Sequence, residues 1–133
     1  MMATEEALYL SLDAEPESIA VARAAVAELG AGLGMIEPTL GDLKTVVSEA
    51  CSNIVRHAYS EAEGTFEIEA FAEEGRLAVV VRDFGSGMRA RAQTDESSLR
   101  LGLGLISMLT IGFDVRGGAG GGTEVRMQLP FHP

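Results

Sequence analysis

The stretch Glu49-Ala50-Cys51-Ser52-Asn53-Ile54-Val55-Arg56-His57-Ala58-Tyr59 decides how this chain is read. On a 3.6-residue period, Leu43, Val47, Ala50, Cys51, Ile54, Val55 and Ala58 form one continuous apolar arc. The segment is therefore an amphipathic helix with one face in a core. Glu49, Asn53 and His57 fall on a different side, each four residues from the next, and stack along one polar stripe. Such a stripe is compatible with a solvated helix face. It is also the arrangement in which a carboxylate and an amide oxygen point into a cleft, the first as general base and the second as ligand of a hard cation. His57 reads as a packing or capping residue and Cys51 as a small buried hydrophobe.

Working outward, this helix starts after Glu37-Pro38, with Asp42 placed to satisfy its first turn. Upstream, Leu8 to Leu12 alternates as a first strand. Pro16 then opens a helix whose apolar residues Ile19, Val21, Ala22, Ala25, Val26 and Leu29 keep helical spacing until Gly30. Downstream, Thr65 to Phe71 alternates, Arg76 to Arg82 holds the apolar run Leu77 to Val81, and Glu73-Glu74-Gly75 joins them as a hairpin. Asp83 to Leu101 reads as an ordered turn followed by a polar mobile loop, and Gly102 to Ile111 as a helix. Phe113 to Arg116 and Thr123 to Leu129 read as strands across a glycine-rich tip. The order β-α-α-β-β-loop-α-β-β predicts an α+β fold: a two-layer α/β sandwich, its sheet mixed and mostly antiparallel, its helices on one face. Residues 1–133 are expected to form a single domain.

Composition narrows the function classes. The 133 residues are 47% hydrophobic and 23% charged, a globular profile that excludes disorder as the main description. No run approaches the ~18 apolar residues of a spanning helix. The acidic N-terminus lacks a signal-peptide layout, so a cytoplasmic protein is expected. One cysteine and two distant histidines leave no internal disulfide and no zinc spacing. Twenty acidic against ten basic residues, a net charge of −10, argue against direct nucleic-acid binding and against anionic membranes. An anionic ligand would have to be held by local devices: backbone N–H groups, a metal ion or one placed arginine.

Three further segments can serve that purpose. Asp83-Phe84-Gly85-Ser86-Gly87 follows a strand; an aspartate there can accept from an exocyclic amine, and glycines let a flat ring approach the backbone. Arg100-Leu101-Gly102-Leu103-Gly104-Leu105 precedes the next helical pattern, where glycines admit phosphates to N–H groups. It is neither a dinucleotide fingerprint nor a Walker loop. Gly122-Thr123 opens the last strand. Each alone is also an ordinary turn or loop.

Together, and in this order, the four motifs resemble those of the GHKL (Bergerat) ATPase superfamily, and within it the anti-sigma factor serine/threonine-protein kinases. The resemblance spans nearly the whole chain, and the E-A-x-x-N-x-x-x-H-A-Y helix is its most specific part. It implies ATP and Mg²⁺ as cofactors. It implies Glu49 as general base, Asn53 as the magnesium ligand, and Asp83 as the carboxylate that reads adenine, with Gly85 and Gly87 beside the base. It further implies Gly102, Gly104 and Leu105 under the phosphates, Thr123 completing the adenine pocket, and Arg100 as a lid arginine near the terminal phosphate. The implied partners are a sigma factor, an anti-anti-sigma factor as phosphoacceptor, and a second copy of the chain in a homodimer. The lid, Met88 to Leu101, is short and carries only Thr94, Ser97 and Ser98 as hydroxyls, which keeps open an ATP-binding regulatory switch with little kinase activity. A nucleotide-free protein-binding adaptor is a third reading. No phosphoacceptor-histidine helix and no transducer domain is legible, which disfavours a histidine kinase or a gyrase-type ATPase.

Overall fold

The hairpin at the centre of the sheet is set by two residues. Glu74 (φ 51°) and Gly75 (φ 80°) both take the left-handed conformation that a two-residue hairpin turn requires. They join β2 (Thr65–Glu73) to β3 (Arg76–Asp83), with Glu73 opposite Arg76. The computed structural model describes residues 7–57, 64–84, 96–117 and 122–132, with only the backbone for residues 96–102. Within these, β1 is Leu8–Asp13, α1 Pro16–Gly32, α2 Thr39–His57, α3 Glu96–Leu109, β4 Gly112–Gly117 and β5 Thr123–Pro130.

The five strands run in the order β1-β2-β3-β5-β4. Among the described residues every pairing is antiparallel, where the sequence suggested a mixed, mostly antiparallel sheet. β3 and β4 do point the same way, but β5 returns between them and separates the parallel pair.

Strand alternation sorts the two faces. Phe66, Ile68, Leu77, Val79, Val81, Val125, Met127 and Leu129 are fully buried on one face, in a cluster with Leu43, Val46, Val47, Ala50, Cys51 and Ile54 of α2. Burying one such side chain stabilises the fold by about 1.5–3 kcal/mol. α2 lies between α1 and α3 and also packs on β3 and β5. At its start the Glu37 carboxylate accepts from the Gly41 N–H at 2.8 Å, and Asp42 lies in the first turn as the sequence suggested.

The other face carries an ionic ladder. Arg82 donates to Glu69 at 2.7 Å and to Glu124 at 2.9 Å, and Glu67 lies 3.7 Å away. Partial burial works against the guanidinium charge, but the hydrogen bonds to Glu69 and Glu124 outweigh it and hold its pKa above the ordinary arginine value. None of the described helices is long and apolar enough to cross a membrane.

Candidate nucleotide site at one end of the sheet

The register fixes which residues share an end. Leu12 opposes Phe66, Phe66 opposes Asp83, Asp83 opposes Thr123, and Thr123 opposes Gly117. α2 packs on this sheet, against β3 and β5. The register thus brings together two motifs far apart in sequence, the end of β3 and the start of β5, and α2 carries the Glu49–Asn53 stripe over the same sheet.

Asp83 is 2% exposed and Thr123 is 1% exposed, and both occupy the face of the sheet that the helices cover. They are directly opposed across the β3–β5 pair. The approach here is close. A Cβ built on Gly122 would lie 2.0 Å from the carbonyl oxygen of Asp83. Only glycine fits at that point.

On α2, Glu49 is half-buried while Asn53 is only 1% exposed. The polar stripe therefore does not run along a solvated face: it turns inward, because α2 is the middle helix of its layer. Neither Oδ1 nor Nδ2 of Asn53 has a hydrogen-bond partner among the described residues. A buried amide without partners costs about 1–3 kcal/mol, so an exogenous group that satisfied it would be bound with that advantage. A hard cation accepts such an oxygen, and Mg²⁺ in particular takes few protein ligands and completes its shell with phosphate oxygens and water. The donor set thus fits a magnesium–nucleotide complex. Just before Glu49, Ser48 Oγ accepts from Arg23 of α1 at 3.4 Å, a contact the sequence did not foretell.

The phosphate-side residues lie differently from the expectation. α3 begins at Glu96, six residues before the predicted start at Gly102, so the free N–H groups of its first turn are not those of Gly102, Gly104 and Leu105. Leu99, Leu103 and Ile106 explain the longer helix, since they keep an apolar spacing that carries through the polar Glu96-Ser97-Ser98. Gly104 is exposed, Leu105 is half-buried, and Arg100 is placed on α3 by its backbone. Part of the predicted loop is thus helical. Gly85, Gly87 and residues 88–95 of the predicted lid lie outside the described residues.

Comparison with known proteins adds a family likeness. Residues 12–129 match the histidine kinase-like ATPase domain. The chain is 30% identical over 139 residues to the serine-protein kinase RsbW of Bacillus velezensis, an alignment covering 96% of this chain and 87% of that protein. It is 29% identical over 141 residues to the RsbW of Bacillus pumilus, with the same two coverages. The fold resembles the crystal structure of the RsbU and RsbW domains of a Mycobacterium tuberculosis protein, with a TM-score of 0.73 and 23% identity over 93% of this chain. The chain spans about a third of that structure, 32% of its length.

Proposed function

This chain belongs to the histidine kinase-like ATPase domain family, and from that premise we propose that it is an ATP-dependent serine/threonine-protein kinase acting as an anti-sigma factor. It binds a sigma factor and phosphorylates an anti-anti-sigma factor, as a homodimer in the cytoplasm, with residues 1–133 as one domain. The observation that carries the reading is the buried amide of Asn53, without a partner among the described residues, one helical turn beyond the half-buried carboxylate of Glu49.

The roles follow from chemistry at these positions. Asp83 and Thr123 bind adenine, the carboxylate accepting from its amino group and the threonine hydroxyl completing the polar edge, with Gly85 and Gly87 beside the ring. Asn53 would hold Mg²⁺ through Oδ1; bound there, the ion would neutralise phosphate charge on a protein of net charge −10. Glu49 takes the proton of an incoming serine hydroxyl, while the hydroxyl oxygen accepts the terminal phosphoryl group and ADP leaves. Arg100 offsets charge on that terminal phosphate.

For the N–H groups of Gly102, Gly104 and Leu105 to face phosphates, the first turns of α3 would release their helical bonds. Two glycines ease that release, since each supports a helix less than alanine by about 0.8–1 kcal/mol. Incubation with Mg-ATP and an anti-anti-sigma factor, read by mass, should add one phosphate to the partner, and a sigma factor should be retained in a pull-down. ATP binding without phosphotransfer would favour the regulatory switch instead.

A further inference from the structure

The contact between Gly122 and the end of β3 has a use that glycine's presence in a loop tip does not explain. Space is what requires glycine here. A Cβ at this position would lie 2.0 Å from the Asp83 carbonyl oxygen, 3.0 Å from the Asp83 carbonyl carbon and 3.2 Å from the Phe84 Cα. All three are backbone atoms, so no side chain can swing aside, and a larger residue would have to displace β3 from β5. The residue after Gly122 is Thr123, and its cross-strand partner is Asp83 itself. Both are buried against the helical layer, so neither can follow such a displacement without moving relative to the other.

We propose that Gly122 is a positioning residue for base recognition: by admitting the Asp83–Phe84 backbone, it fixes the spacing of Asp83 and Thr123 that the base reads. This rests on the nucleotide reading given above and deepens it. Gly122 touches no substrate; it acts through Asp83. Misplacing a recognising group by even an ångström weakens what it holds by a large factor.

The test compares wild type, Gly122→Ala, Asp83→Asn and the double variant, measuring ATP and GTP dissociation constants together with thermal melting in the absence of nucleotide. Gly122→Ala should remain folded, bind ATP about tenfold more weakly or worse, and lose its preference for ATP over GTP. In the Asp83→Asn background the same substitution should add little, since both changes act on one contact. Wild-type ATP affinity in Gly122→Ala, or fully additive losses in the double variant, overturns the positioning role and leaves the nucleotide reading intact. Wild-type protein that binds no ATP overturns the nucleotide reading and this role with it. Should Gly122→Ala fail to fold, an ATP titration of the wild type followed by amide resonances decides. Gly122 and Asp83 should shift along the same binding curve, and a Gly122 resonance that stays still while Asp83 moves overturns the proposal.

Discussion

Asp83 and Thr123 face one another across the β3–β5 pair, each almost wholly buried, on the face of the sheet that the helices cover. If Asp83 reads the base as proposed, its carboxylate accepts from the amino group of adenine but would meet the carbonyl of guanine. The mismatch costs about 1–3 kcal/mol, so ATP should bind roughly 5- to 150-fold more tightly than GTP. Competition titrations with the two nucleotides check this, and equal affinities would remove Asp83 from the adenine site.

Replacing Asn53 by alanine should separate stability from binding. Its amide is buried and has no partner among the described residues, so Asn53→Ala removes an unsatisfied group and should melt no lower than wild type without nucleotide. The same variant should lose the magnesium-dependent part of its ATP affinity. Calorimetry with and without Mg²⁺ reads both effects; unchanged Mg-ATP affinity would show that the amide holds no metal.

Glu49→Gln keeps the size of the side chain but discards its basicity. Phosphorylation of the anti-anti-sigma factor should slow by about 10²–10⁴-fold. ATP affinity should hold or rise, since a negative charge near phosphates is lost, and the sigma factor should still be retained. Full kinase activity in the variant would exclude Glu49 as the base.

Gly104 lies in α3 with open space where a Cβ would go. Gly104→Ala should therefore stabilise the empty protein by about 0.5–1 kcal/mol. If α3 must loosen to admit phosphates, the same energy should weaken ATP binding about 2- to 5-fold. A higher melting temperature with unchanged affinity would mean that α3 stays helical in the complex.

Burial pushes the Cys51 thiol up to about 12 from an ordinary value of 9.0. The folded chain then keeps its thiol proton where the unfolded chain loses it. Any stability tied to this group is complete below pH 9 and falls as pH rises toward 12. At pH 8, alkylation of Cys51 should be slow in the folded protein and fast in denaturant; rapid labelling of the native protein would contradict its burial.

The sheet was legible because its signals are local. Alternation over Thr65 to Phe71 and the turn at Glu73-Glu74-Gly75 pointed to the central hairpin, whose register the left-handed Glu74 and Gly75 fix. α1 and α2 were legible from Pro16 and from the apolar arc through Leu43, Val47, Ala50 and Ile54. The start of α3 was not, because Glu96-Ser97-Ser98 is polar and Gly102 and Gly104 argue for a loop, whereas packing of the downstream apolar residues Leu103 and Ile106 favours a longer helix. The inward turn of Asn53 was likewise hidden: a wheel gives the angle of a residue, but not how many neighbours surround the helix. Gly122 had no sequence signal beyond standing before Thr123, since a close backbone approach is a property of two strands together.

The strand order also has a consequence for when, in the life of the chain, this site comes into being. The β2–β3 hairpin closes across two residues, but Asp83 meets Thr123 only forty residues later in sequence. Closing the longer span carries the larger entropic penalty and waits on long-range pairing. A chain emerging from the ribosome carries Glu49 and Asn53 long before β5 exists to sit beside β3. On the proposed reading, competence to bind nucleotide therefore arrives only with β5: a chain that has not reached it holds the chemistry of α2 but lacks one of the two residues proposed to seat the base.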